Sequence, residues 1–278
     1  MSNVLGRPPG SVIATLATQA RFVQVIASTE FKLKYAGSAL GYVWSLLKPL
    51  ALFSVLYVVF GSFFKVGAGF SDYPLYLLIG IVMWTFFSDA VSVTMPSIVA
   101  HGSLLRKLSF PRLVIPLSAT LTATLTFAIN LIAIVALIGW ERIVPAVHWL
   151  LLVPLVVELY LFTLGFALIL ATLFVRFRDV AQIWELLGQL LFFGTPIFYL
   201  VGFLPPWARS VSLLNPFTQV MQDVREIILY RAREEDVFTA DTVLGSGGRL
   251  FPIAIAIATF TFGVVLFRRE EPWFAERV

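Results

Sequence analysis

Two carboxylates inside otherwise uncharged stretches are the first candidates for chemistry. Asp89 and Glu158 lie where an ionised group costs free energy unless it faces a cavity or a partner. They could serve as a proton relay or as a polar contact in a conduit. A structural role, hydrogen-bonded near Ser88, Ser92 or Asn130, is the alternative. We favour the structural role, because each stretch carries only one carboxylate and no His or Arg lies near it in sequence.

The residue types for catalysis are scarce. The two histidines, His101 and His148, fall on opposite sides of the membrane in the topology predicted below, so they cannot form one site. With no cysteine, the chain has neither disulfides nor thiol catalysis. No Gly-Lys pair is present to begin a phosphate-cradling loop. We therefore expect no catalytic residue, no metal site, no cofactor in this chain and no nucleotide site of its own.

The composition places the chain in a membrane, since 59% of residues are hydrophobic and only 13% are charged. A helix needs about 20 residues to cross a hydrocarbon core about 30 Å thick. Six runs of suitable length are found, at 41–64, 73–95, 113–140, 147–175, 185–204 and 250–267. We predict an all-α membrane protein with six transmembrane helices.

One of these runs alternates like a strand. SATLTATLTF at 118–127 places Thr at every second position over part of its length. An open strand in lipid would leave its backbone groups unpaired, so helix is the better prediction. We expect the threonine hydroxyls to bond back along that helix.

Basic residues predict the orientation. Thirteen of the 20 Lys and Arg fall in segments that this topology places on one side. By the positive-inside rule that side is the cytoplasm, and both termini lie there. The chain forms one transmembrane domain over 1–278, divided into a cytoplasmic interfacial segment 1–40, spans one to five at 41–204, outer helices and a loop at 205–249, span six at 250–267 and a cytoplasmic tail 268–278.

Two further helices are too polar to span. The first is an amphipathic surface helix capped by Ser11, with apolar residues recurring every three or four positions. The second belongs to an outer helical pair at 205–230, where Asn215 and Pro216 fit the N-cap and first helical position. Its apolar face consists of Phe217, Val220, Met221, Val224, Ile227 and Ile228.

Three segments carry a family resemblance. FKLKYAGSALGYVWSLLKPL at 31–50 has a basic pair, a Tyr, Ser-x-Leu-Gly, a Trp and Pro-Leu. It resembles the permease subunits of type-2 ATP-binding-cassette exporters, specifically the class that exports lipid-linked polysaccharides such as O-antigen, capsule, teichoic acid or galactan. LLRKLSFPRLVIPLS at 104–118 is similar to the same family, as is FVRFRDVAQIWELLGQLLFFGTPIFY at 174–199 with LNPFTQV at 214–220. The family often has a basic residue where Ala36 stands.

The resemblance implies a coupling role for the basic segment 101–112, HGSLLRKLSFPR. In such permeases a short cytoplasmic coupling helix, here 97–110, docks on a separate ATPase. The implied contacts are Leu104, Leu105, Arg106, Lys107, Leu108 and Phe110. Arg176 and Arg178 in the next inner loop would brace the same subunit. The alternative for the segment 101–112 is contact with lipid phosphates alone. For Arg176 and Arg178 the alternative is that they only anchor the helix ends.

The resemblance also implies a conduit between the first and fifth spans. The aromatic residues there are Trp44, Phe53, Tyr57, Phe60, Phe192, Phe193, Phe198 and Tyr199. Rings of this kind can stack on the C–H faces of sugars, although they are also ordinary lipid-facing residues. Gly194, Thr195 and Pro196 predict an interruption of the fifth span that could act as a gate.

Lys32, Lys34 and Lys48 are the implied contacts for the pyrophosphate of a lipid-linked cargo. Snorkelling to lipid headgroups is their alternative role. The implied assembly is a homodimer with two ATPase subunits that hold ATP and Mg, in a bacterial inner membrane and without nucleic acid. An outer helical pair would act as a re-entrant gate.

Three other functions stay open from the residues alone. The same exporter class could carry a drug or small lipid. A membrane-embedded transferase would need clustered acid, base or metal-ligand residues, which the sequence lacks. A passive channel would work without any ATPase.

Overall fold

The computed structural model describes residues 21, 23–34, 36–38, 40–66, 72–102, 111–230 and 238–277. Every regular element within these ranges is helical. The predicted all-α class is therefore confirmed.

Five helices are long and apolar enough to cross a membrane. We call them the first, second, third, fourth and last spans: Val43–Phe63, Tyr73–Thr94, Val114–Trp140, Val147–Arg176 and Leu250–Trp273. The first span is α-helical over Val43–Leu56 and a π-helix over Tyr57–Phe63. The fourth span opens with a 3-10 turn, Val147–Leu151, and the last closes with one, Glu271–Trp273. Minor helices are Ser97–Ala100, Ala240–Leu244 and Phe274–Arg277.

The fifth predicted span differs from the structure. Instead of 185–204, a helix of 15 residues runs over Val180–Gly194, which we call the short helix. Beyond it the chain is extended at Thr195, and a 3-10 turn follows at Val201–Phe203. Pro196 explains the early end, because it lacks a backbone N–H and disfavours helical geometry in the residue before it. The predicted interruption is thus present, but the predicted boundaries are wrong.

The threonine-rich stretch is helical, as predicted. It lies inside the third span, Val114–Trp140. The hydroxyls of Thr120, Thr122, Thr124 and Thr126 each donate to the carbonyl four residues earlier, over 2.9–3.2 Å. Back-bonding therefore satisfies these hydroxyls within the helix.

The second span forms the centre of the bundle. Of an 18-residue apolar stretch of the second span, 72% is buried inside the protein, whereas 17% of such a stretch of the first span is buried. The short helix is also open, since only Val180 and Trp184 are buried along it. The first span and the short helix thus present large surfaces that this single chain does not cover.

The fourth and last spans approach closely through glycines. A Cβ added at Gly263 would lie 2.3 Å from the carbonyl oxygen of Gly165, and one added at Gly165 would lie 2.4 Å from the Cα of Phe260. Small residues of this kind let helix backbones pack in direct contact.

Both termini of the described chain meet at one end of the bundle, which we call the basic end and define by Thr94 and Val114. A helix over 23–34 packs there, and its Ala27 carbonyl accepts a bond of 3.2 Å from Thr122. The backbone N–H of Arg112 donates to Glu271 over 3.1 Å. The predicted cap Ser11 lies outside the described residues.

The predicted polar helix pair lies at the opposite end. It consists of Pro206–Leu214 and Pro216–Arg225, and we call the second of these the capped helix. Asn215 accepts a bond of 3.0 Å from the N–H of Phe217, which confirms the predicted N-cap. The whole predicted apolar face is buried.

Candidate conduit and its two cavities

Non-helical backbone follows the short helix at 195–199, which we call the broken segment. Helix bonds no longer satisfy its carbonyls, so side chains must do so inside the bundle. Tyr73 donates to the carbonyl of Phe198 over 2.7 Å, and Tyr76 donates to that of Tyr199 over 3.0 Å. The second span therefore supports the broken segment directly.

Arg225 provides the remaining support. It is the largest fully buried side chain in the described part of the protein. Its guanidinium donates to the carbonyls of Pro196 and Ile197, each over 2.8 Å, and to that of Tyr76 over 2.9 Å. The same group lies 3.4 Å from the centroid of the Tyr76 ring. Carbonyl dipoles and a ring face thus stabilise this buried cation.

Arg225 was not predicted as a site residue. In the predicted topology it is one of the seven Lys and Arg on the side opposite to the cytoplasm. The available signals were far apart in sequence: a helix break at Pro196, whose carbonyls need donors, and a five-donor side chain on a helix with an apolar face.

A cavity of about 510 Å³ opens between the first span, the second span and the short helix. We call it the aromatic cavity. Its rings come from Trp84, Trp184, Phe192 and Phe193. Its polar lining is Ser88, Ser92, Glu185 and Gln189, and the Trp184 indole donates to Ser92 over 3.0 Å. Such a wall offers ring faces and hydroxyl, amide and carboxylate groups to a polar solute.

The structure brings most of the predicted conduit residues together. Phe192 and Phe193 line the aromatic cavity. Phe198 lies between the predicted rings of the first span and those of the fifth predicted span. Its ring centroid is 4.5 Å from that of Phe60 and 5.9 Å from that of Phe192. Tyr199 contacts Phe198 at 5.2 Å.

The predicted rings of the first span do not all contact the same neighbours. Phe53 and Tyr57 stack at 5.8 Å, and Tyr57 stacks on Tyr73 at 6.4 Å. Phe60 turns to Phe198 instead. The remaining predicted ring, Trp44, lines a second cavity.

This second cavity, of about 520 Å³, lies nearer the basic end. We call it the basic cavity. Lys34 and Lys48 line it together with Asp89. Asp89 interacts electrostatically with both lysines. Lys32, the third predicted lysine, is not among the lining residues, and Leu52 belongs to both cavities.

The predicted coupling contacts cannot be placed in the same way. Leu104, Leu105, Arg106, Lys107, Leu108 and Phe110 lie outside the described residues. Arg176 and Arg178 are described at the basic end, where their guanidinium carbons lie 5.1 Å from the ring centroids of Phe177 and Phe174 respectively. Their predicted role in coupling stays a prediction.

A polar cluster that was not predicted from the sequence lies at the opposite end. Arg249 donates to Asp223 over 2.8 Å and to Glu226 over 3.1 Å. Burial raises the pKa of the Asp223 carboxyl, although its bonds from Arg249 act in the other direction. The carboxyl of Glu158 lines a cavity of about 180 Å³ beside these groups, and Asn130 is not among the residues that line it. This cluster joins the capped helix to the fourth and last spans.

Comparison with known proteins identifies the family. Residues 21–229 match the family described as ABC-2 type transporter. The chain belongs to this family. It is therefore an integral membrane subunit of a type-2 ATP-binding-cassette transporter, as the resemblance implied.

Relatives of this ABC-2 transporter chain cover most of its length. It is 30% identical over 255 residues to the O-antigen export system permease protein RfbA of Myxococcus xanthus, covering 91% of this chain and 94% of that protein. It is 29% identical over 206 residues to the protein of the same description from Klebsiella pneumoniae, covering 74% and 79% respectively.

Proposed function

We propose that this chain is the transmembrane subunit of an ATP-driven exporter that moves a lipid-linked polysaccharide or glycolipid from the cytoplasm across the plasma membrane. The observation that carries the proposal is the pair of cavities that adjoin at Leu52, one lined by rings and one by lysines. Rings stack on the apolar faces of sugars, while lysines attract the diphosphate that links sugar to lipid. The descriptions of the relatives favour this cargo.

The passage is formed by two copies of the chain. The first span and the short helix flank the aromatic cavity, and each has few buried residues. A second copy packed against this face would close the open side of the cavity. The complete conduit would then be lined by two sets of rings and would contain few ionised groups that could hold the glycan tightly.

Energy comes from two ATPase subunits at the basic end, which faces the cytoplasm in this proposal. They hold ATP and Mg and close on each other. The segment 97–110 docks on them, and because it joins the second and third spans, its displacement moves both. The second span supports the broken segment through Tyr73 and Tyr76, so this motion reaches the wall of the conduit.

Coupling is tested by co-purification with the ATPase. Replacing Arg106, Lys107 and Phe110 together with Ala is expected to abolish association while leaving membrane insertion intact. The control replaces Arg268 and Arg269, two exposed basic residues near the C-terminal end of the last span, with Ala. Full retention of the ATPase by the triple variant would contradict the docking assignment.

The cargo is tested by depletion of the chain from cells. Lipid-linked glycan is expected to accumulate on the cytoplasmic face and to clear when the wild-type chain is restored. Unchanged glycan export in depleted cells would remove the polysaccharide proposal.

A further inference from the structure

The basic cavity contains a carboxylate to which the proposed function gives no role. Asp89 lies five residues before the end of the second span at Thr94, and Lys48 lies five residues after the start of the first span at Val43. At about 1.5 Å of rise per residue, both side chains originate ~7.5 Å inside the basic end of the bundle. The opposite charges therefore lie at a similar depth.

Several elements converge on this carboxylate. Lys34 comes from the N-terminal helix over 23–34, and Lys48 comes from the first span. Thr85 lies one helical turn before Asp89 on the same face, and Thr126 of the third span completes the wall. The two lysines and Asp89 interact electrostatically. With both lysines and Asp89 ionised, the cavity carries a single net positive charge.

We propose that Asp89 is a counter-ion that weakens this anion site, so that a lipid diphosphate binds there reversibly and can leave for the conduit. The inference rests on the proposed function, because it concerns the same lysines. Two ammonium groups without a nearby carboxylate would attract a diphosphate strongly in a partly dehydrated cavity. In the empty site Asp89 also offers the lysines an internal partner, which lowers the cost of holding charge within the membrane boundary.

Binding of farnesyl diphosphate to the purified chain tests this inference. Asp89→Asn removes the charge at nearly constant shape and is expected to tighten binding about tenfold, the order of magnitude for losing one like charge in this setting. Replacing Lys34 and Lys48 together with Gln is expected to weaken it by about tenfold or more. The control is Asp179→Asn, the same substitution at an exposed site beyond the fourth span.

Thr85→Asp provides an independent test that does not remove Asp89. A second carboxylate one turn away should weaken binding, and Asp89→Glu should leave it close to wild type. Equal or weaker binding by Asp89→Asn, with its thermal melt unchanged, would overturn the counter-ion role. If Asp89→Asn does not fold, unweakened binding by Thr85→Asp would overturn it.

The same experiment separates this inference from the proposed function. If the lysine variant bound farnesyl diphosphate as well as wild type, the anion site would be absent, and the lysine part of the proposed function would fail with the inference. If binding depended on the two lysines but was unchanged by the substitutions that alter the charge at or near Asp89, the inference alone would be overturned.

Discussion

The guanidinium of Arg225 donates to the carbonyl of Pro196 over 2.8 Å, joining the capped helix to the residue where the fifth predicted span breaks. Arg225 is fully buried, and its other bonds reach Ile197 and Tyr76. One side chain thus connects the capped helix, the broken segment and the second span. In our proposal these are the elements that border the conduit at its far end.

Arg225→Lys is expected to lower the thermal stability of the purified chain and its export activity. Lys keeps the charge, but its three donors lie on a single nitrogen. It therefore cannot span the carbonyls that Nη1 and Nη2 of Arg225 reach separately. Each hydrogen bond to a charged group contributes about 1.5–3 kcal/mol. Arg277→Lys is the control, because Arg277 is 37% exposed and pairs with Glu270 at the surface. Equal melting temperatures for both variants would contradict the structural role of Arg225.

Gly80→Ala tests the same connection from the second span. A Cβ at position 80 would lie 2.5 Å from Nη2 of Arg225 and 3.0 Å from the carbonyl oxygen of Ile197. We expect it to displace the guanidinium and destabilise the chain about as much as Arg225→Lys does. Gly139→Ala is the matched control, because nothing lies within 4 Å of its Cβ. In the double variant that carries Gly80→Ala and Arg225→Lys, the two losses of stability should not add, because both substitutions disrupt the same contact. Additive losses would argue against a shared cause.

The contrast between predicted and missed features has a physical explanation. Long uncharged runs locate the five spans, and the Asn215–Pro216 pair locates the capped helix, because these signals are local. The boundaries predicted for the fifth span were wrong because the apolar run continues beyond Pro196 in sequence, whereas the helix ends at Gly194. Arg225 was not predicted as a site residue, and the lysine partners of Asp89 were not predicted, because in each case the partners lie on other helices and no local pattern records that proximity.

The pairing of His101 and Glu30 predicts a pH dependence at the basic end. Nε2 of His101 lies 3.3 Å from Glu30, and hydrogen bonding to Glu30 raises the pKa of His101 above its ordinary value of 6.5. A raised pKa means that the pair's contribution to stability is fully present below the unfolded value and is lost as pH rises through the folded value. The N-terminal helix should therefore pack more firmly in mildly acidic solution.

Thermal melting between pH 5 and pH 9 checks this dependence, the range being set by the ordinary histidine pKa of about 6.5. Wild type should lose stability across the upper part of that range. His101→Gln and Glu30→Gln should each flatten the same part of the curve. An unchanged slope in both variants would show that this pair is not responsible.

Thiol labelling tests whether the aromatic cavity holds water. The chain has no cysteine, so Phe193→Cys introduces its only thiol. A charged maleimide should modify Phe193→Cys, because the thiolate needs water to form. Ile132→Cys is a matched control, since both side chains are 61% exposed but Ile132 lies on the third span, away from the cavity. Equal labelling of the two variants would contradict a water-filled conduit at Phe193.

Reconstitution tests the central claim most directly. The chain and its ATPase are placed in liposomes with a fluorescent lipid-linked oligosaccharide, and its transfer between leaflets is measured. We predict transfer only when the chain, the ATPase and hydrolysable ATP are all present. ATP hydrolysis by the isolated chain, or equally fast transfer without the ATPase, would contradict the account.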